Sequence, residues 1–199
     1  MMIPETENPP KYVKKKISLI ALDIDGVMNS VESFKEAKGN TATIYDLPAK
    51  KHIEQLNRIM DETGAYLLLS STWRKHIGSH LMGSMLYLCG LSVENSMKFI
   101  GETPTLNSYR GIEILTYILS VNSKDASSWE KYHIDKLIII DDDADMLFLS
   151  KYLVKTDNET GLTKEVADKA IEMLNSDLSK LDILNIDFNK LTRDVIEWA

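Results

Sequence analysis

The chain has 199 residues, 44% of them hydrophobic, and a formal net charge of −7. That length and apolar content suit one domain with a sizeable core, and the negative balance argues against loose, non-specific nucleic-acid binding without excluding a local basic patch. A single cysteine, Cys89 in the apolar stretch MLYLCGL, excludes an internal disulfide. It reads as a small buried hydrophobe and fits a reducing, cytoplasmic compartment.

No apolar run reaches the ~20 residues of a membrane span, so no membrane contact is expected. Lys14–Lys16 precede an apolar segment, as in a signal peptide, but that segment is short and runs into Asp23, and the signal reading is rejected. Residues 1–13 hold three of the five prolines and no periodicity, and read as a flexible lead-in. Residues 14–199 then read as one domain.

The first strand is expected over about 15–23, where Ile17, Leu19, Ile20, Ala21 and Leu22 form a nearly continuous apolar run suited to a central parallel strand. It ends in Asp23 and Asp25. In extended backbone, residues two apart point the same way, so both carboxylates face one spot. Gly26 permits a sharp exit. Two converging acids repel unless a cation lies between them or one holds a proton, and a hard ion such as Mg2+ prefers oxygen ligands of this kind.

Residues 29–46 are mixed, with a turn signal at Gly39-Asn40 and extended-type residues over Thr41–Tyr45. A helix follows over about Leu47–Asp61, where Ile53, Leu56, Ile59 and Met60 recur at helical spacing, and Gly64 ends it. A second apolar strand, Ala65–Ser70, leads into Ser71-Thr72-Trp73-Arg74-Lys75 and a helix through about Cys89. His76 and His80 lie four apart on it, but no third metal ligand is near.

A short strand is expected at Met97–Ile100 and a helix from Arg110 to about Leu119 or Val121. The polar stretch Asn122–Lys131 precedes a strand over Lys136–Ile140, which ends in Asp141-Asp142-Asp143-Ala144-Asp145. An extended piece at Lys151–Thr156 leads to a helix over 164–175, and a helical tail from about 178 carries Leu181, Ile183, Leu184, Leu191, Val195 and Trp198. Alternating strands and helices imply an α/β domain with a mostly parallel central sheet flanked by helices. In such sheets ligands bind beyond the carboxyl ends of the strands. Those ends carry Asp23/Asp25, Ser70/Ser71 and Asp141/Asp142/Asp145.

The stretch DIDGV after a buried strand resembles motif I of the haloacid dehalogenase (HAD) superfamily. Ser70 resembles its motif II, with Ser71 the alternative and a helix cap in its own right. The run LIIIDDDAD resembles motif IV. DIDGVMN, SSTWR, RGIEI, the DDD run and VKTDNETGLT together are similar to the HAD domain of Swiss Army Knife RNA-repair proteins. They span about 23–175. The resemblance implies a HAD-like Rossmannoid fold, with a minimal cap because the next helix begins soon after motif I.

It also implies a Mg2+-dependent phosphatase acting through an aspartyl-phosphate. Asp23 is then the nucleophile and Asp25 the acid–base. Ser70 and a basic residue hold the phosphoryl oxygens. For that residue Arg110 is preferred, with Lys124 and Lys136 as alternatives. The implied metal ligands are Asp23, the Asp25 carbonyl, Asp142 and Asp141, with Asp145 an outer ligand or an orienting group. Ser71 and Arg74 are expected to bind substrate, and Lys14–Lys16, Arg74 and Lys75 to form a positive region. Trp73 is expected as a core or shelf residue or a stacking platform for a base. The implied partner is a phosphorylated substrate, either a nucleic-acid end or a nucleotide.

A catalytically silent HAD-like binding module and a general small-molecule phosphatase are the alternatives. A receiver domain is disfavoured because its acceptor aspartate ends a later strand. A TOPRIM nuclease is disfavoured because no earlier strand end supplies its glutamate.

Overall fold

A computed structural model describes residues 14–38, 47–123 and 132–182. The lead-in at 1–13, the turn at 39–46, Lys124 and the tail beyond Asp182 lie outside the described residues. Five strands make one sheet: β1 (Lys15–Leu22), β2 (Tyr66–Leu69), β3 (Phe99–Glu102), β4 (Tyr132–Asp141) and β5 (Leu153–Lys155). Their order is β3-β2-β1-β4-β5, and every neighbouring pair is parallel. Among the described residues six α-helices accompany them: α1 (Val31–Lys38), α2 (Lys50–Thr63), α3 (Ser79–Leu88), α4 (Val93–Ser96), α5 (Arg110–Asn122) and α6 (Lys164–Asn175). This is an α/β fold with an all-parallel sheet flanked by helices.

Strand alternation divides the core in two. Ile20, Leu22, Leu67, Leu69, Ile138 and Ile140 face α2, α3 and α6. Leu19, Ala21, Leu68, Leu137 and Ile139 face α5 and the short 3-10 helix Leu147–Tyr152. With both faces covered, the ends of β1 (Leu19–Leu22) and β4 (Leu137–Ile140) read as unbroken apolar runs.

Several boundaries depart from the sequence reading. β4 begins at Tyr132, before the apolar run, because its first residues pair with Lys15–Ile17 of β1. β3 starts at Phe99 because Met97 closes α4 and the Lys98 amide donates to the Asn95 carbonyl. The helix expected after Ser71 begins as a 3-10 turn, Thr72–Lys75, before α3 proper. The extended piece at Lys151 is still in the 3-10 helix, and only Leu153–Lys155 pairs as β5. Helix α1 falls where the sequence reads as mixed. Its first amides are bound from afar: Val31 N–H donates to Asn158 O and Glu32 N–H to Glu159 O. Ser30 and Ser33 also cap each other's backbone amides. Local apolar period carries none of that.

α5 sits close against the loop after β4. A Cβ on Gly111 would lie 2.2 Å from the Met146 carbonyl oxygen. Replacing a helical glycine by alanine ordinarily gains roughly 1 kcal/mol of propensity, but a backbone atom cannot swing away, so the clash should prevail. Gly111→Ala should therefore lower the unfolding free energy in urea by about 1–3 kcal/mol, the range for overpacking. An unchanged or raised stability would show that α5 is not seated this tightly.

Candidate active site

The site grows from the sheet register. Leu22 of β1 pairs with Leu69 of β2 and Ile140 of β4. One step further, Asp23, Ser70 and Asp141 stand side by side at three adjacent strand ends. The ladder continues through them: Asp23 N–H donates to Ile140 O at 3.0 Å, and Ser70 N–H to Leu22 O at 2.9 Å. By alternation all three share the face that carries α5. There Arg110, the first residue of α5, meets them.

Arg110 Nη1 lies 2.9 Å from Asp23 Oδ2 and 3.0 Å from Asp141 Oδ2, and it donates to the Ser70 carbonyl at 2.6 Å. Of the candidate basic residues that are described, Arg110 is thus the one at the acids. Lys136 caps the end of α6, donating to Leu174 O and Ser176 O. Asp145 aims Arg110: its Oδ2 accepts from the Arg110 amide at 3.1 Å, and its carbonyl accepts from Gly111. An acceptor with negative charge suits the exposed amides of a helix start.

The carboxylates are held in graded environments. Asp23 and Asp141 are buried, whereas Asp142 is half-buried and Asp25 exposed. Asp23 accepts from the Ile24 amide and from the Ser71 hydroxyl. Burial nevertheless raises its pKa, against the lowering pull of Arg110. Asp141 is pushed up to about 7 by burial and then by the Asp23 charge, although the Asp143 amide donates to its Oδ1. Burial also raises Asp142.

Asp23, Asp141 and Asp142 each offer an oxygen, all within 4.8 Å of one another. This all-oxygen donor set fits a hard divalent cation such as Mg2+. The Asp25 and Asp145 side chains are not in that set. For Asp25 the chain bends after Leu22 and turns at Gly26, so extended-strand geometry stops short of it. Gly26 has φ +69°, and a Cβ there would lie 2.2 Å from the Asp142 carboxyl carbon. The glycine thus leaves room for the third acid as well as making the turn. Thr156 closes the back of the site: its amide donates to Asp141 O and its hydroxyl to Gly26 O.

Ser70 is buried with its hydroxyl lacking a partner among the described residues. Ser71 bonds Asp23 and also accepts from the Trp73 amide as the cap of the 3-10 turn, so its two expected roles coexist. Arg74 departs from the expectation of an open surface cation. Its side chain is 6% exposed, ion-paired with the equally buried Glu113 and bonded to Ser71 O. Lys14–Lys16 lie at the amino-terminal end of the central strand β1, a strand's length from the site at its carboxyl end, and so form no shared patch with Lys75 beyond β2. Sequence reasoning missed the Glu113 partner, the Thr156 clamp and a bond from Trp73 Nε1 to Asp25 Oδ2 at 2.8 Å. These side chains meet across the fold, and only the RGIEI and VKTD stretches hinted at them.

Two outcomes follow from this geometry. Removing one partner of a buried pair costs ~3–5 kcal/mol, so Arg74→Ala should destabilise the fold by about that much in denaturant titration; a surface-like loss under ~0.5 kcal/mol would contradict the burial. For Asp141 the folded value, about 7, lies above the ordinary 3.8. Its contribution to metal-free stability is full below the unfolded value and is lost as pH rises through about 7. A cation needs the carboxylate, so Mg2+ affinity by calorimetry should rise across that window with proton release. Affinity flat with pH, and no buffer dependence of the heat, would contradict this.

No curated protein and no solved structure matches the chain. Residues 19–167 match the family described as the HAD domain in Swiss Army Knife RNA repair proteins. That span holds every strand end described above, and the chain belongs to this family.

Proposed function

We propose that the chain is a Mg2+-dependent phosphomonoesterase acting through an aspartyl-phosphate, with a phosphorylated nucleic-acid end or nucleotide as substrate. The observation that carries the reading is the row Asp23–Ser70–Asp141, with Arg110 against it. A carboxylate and an unpartnered hydroxyl at adjacent strand ends, with a fixed cation beside them, support this reading. A divalent cation held by Asp23, Asp141, Asp142 and the Asp25 carbonyl would offset the mutual repulsion of carboxylates and phosphate.

In this reading an Asp23 oxygen attacks phosphorus while the Ser70 hydroxyl and Arg110 hold the phosphoryl oxygens. Asp25, exposed at the mouth of the site, protonates the leaving oxygen. It then takes a proton from the water that hydrolyses the intermediate. Asp141 and Asp145 keep Arg110 aimed. Ser71 orients Asp23.

The family description, and the segment between β1 and α2, whose described part holds one eight-residue helix, α1, favour a large substrate over an enclosed metabolite. A second reading, a general small-molecule phosphatase, is favoured by one fact: Arg74 is spent internally on Glu113 and offers no open contact to a polyanion.

The readings separate in a phosphate-release screen over mononucleotides, RNA and DNA with 3′- or 5′-phosphates, and sugar phosphates. Asp23→Asn should abolish release while keeping the fold, and chelator should do the same to the unsubstituted protein. For an oligonucleotide, kcat/KM should fall with rising salt, as counterion release requires. Near-full activity in Asp23→Asn would remove the assigned nucleophile. Far better turnover of sugar phosphates, or an oligonucleotide rate indifferent to salt, would leave the small-molecule reading.

A further inference from the structure

Trp73 stands on the turn that follows β2, two residues beyond Ser71. Its amide donates to the Ser71 hydroxyl, its carbonyl accepts from His76 and Ile77, and its half-buried ring packs on the core cluster that includes Ile24 and Leu69. The ring is thus fixed at its backbone and along its apolar face. What remains is its one polar atom, Nε1, which donates to Asp25 Oδ2 at 2.8 Å. This is the only hydrogen bond to that carboxylate among the described residues, and Asp25 is otherwise exposed.

An exposed aspartate with no partner samples several side-chain rotamers, and most of them aim its oxygens away from a given point. An indole N–H is a donor only, so it can hold a carboxyl oxygen but can neither take up nor supply the transferred proton.

We propose that Trp73 is the positioning residue for the acid–base Asp25. Its N–H occupies Oδ2 and fixes the carboxyl rotamer, which leaves Oδ1 to face the leaving group. The inference rests on the phosphatase reading above and adds a residue to it. In the first step an Asp23 oxygen bonds to phosphorus. The bond from phosphorus to the leaving oxygen breaks with its electron pair on that oxygen, which takes the proton from Asp25 Oδ1. In the second step a water oxygen bonds to phosphorus and its proton passes to Asp25 Oδ1. The bond to Asp23 then breaks with its pair returning to Asp23. Trp73 exchanges no proton in either step. The turn that carries Ser70 and Ser71 therefore also sets the acid–base, so phosphoryl contacts and proton transfer are held as one unit.

The test is the dependence of kcat/KM on leaving-group acidity across aryl and alkyl phosphates, from p-nitrophenyl phosphate to glycerol phosphate. Trp73→Phe keeps an aromatic ring and loses the N–H. Where Phe does not fill the space, Trp73→benzothienylalanine keeps the bicyclic shape without a donor. General acid–base catalysis contributes roughly 10²–10⁴-fold, so loss of its positioning should cost the alkyl ester about tenfold and the p-nitrophenyl ester less than about twofold. The plot then steepens.

A parallel downward shift, equal for all esters, would mean that Trp73 only supports packing. A loss confined to nucleotide esters would mean base stacking instead. Variants that match the unsubstituted protein on every ester would remove this inference while leaving the phosphatase reading intact. An unsubstituted protein that releases phosphate from none of them would remove both.

Discussion

The arrangement depends on one electrostatic constraint: two buried carboxylates, Asp23 and Asp141, at neighbouring strand ends. Parallel pairing of β1 with β4 forces them together, because Leu22 is in register with Ile140. Two charges in that space are costly unless a cation joins them or a proton is retained. The fold supplies Arg110, and the pKa of Asp141 remains raised even so. Much of the surrounding structure serves to hold that guanidinium: Asp145 at the start of α5, Gly111 seated on the Met146 carbonyl, and the Ser70 carbonyl closing the third side.

The same constraint explains why the site is braced from behind. Asp23 and Asp142 belong to different segments, and their separation sets what can bind between them. Thr156 links those segments by donating from its amide to Asp141 O and from its hydroxyl to Gly26 O. Gly26, with its positive φ, lets Asp142 approach the loop. The turn at 157–161 continues the brace, since its Asn158 and Glu159 carbonyls receive the first amides of α1. Hydrogen bonds that run between segments in this way fix their relative placement.

On the other side, the turn after β2 joins the acidic site to the packing of the core. Arg74 and Glu113 tie it to α5, and Trp73 ties it to Asp25. Three of the four residues from Ser71 to Arg74, all but the exposed Thr72, thus each hold a different part of the site. The Arg74 charge is consumed inside the protein by Glu113.

The chemistry at the strand ends was legible in the sequence. Apolar runs broken by Asp23, Ser70 and Asp141 announce buried parallel strands and their polar carboxyl ends, because burial on both faces leaves no alternation to confuse the reading. The order of those runs also carried the α/β class and the HAD resemblance. What only the tertiary structure decided is which side chains meet. Arg110 lies far in sequence from both Asp23 and Asp141, Arg74 from Glu113, and Trp73 from Asp25. Helix α1 likewise owes its first bonds to a distant turn. Local periodicity reports only which face of an element is buried, whereas pairing between elements is set by sheet register and helix seating.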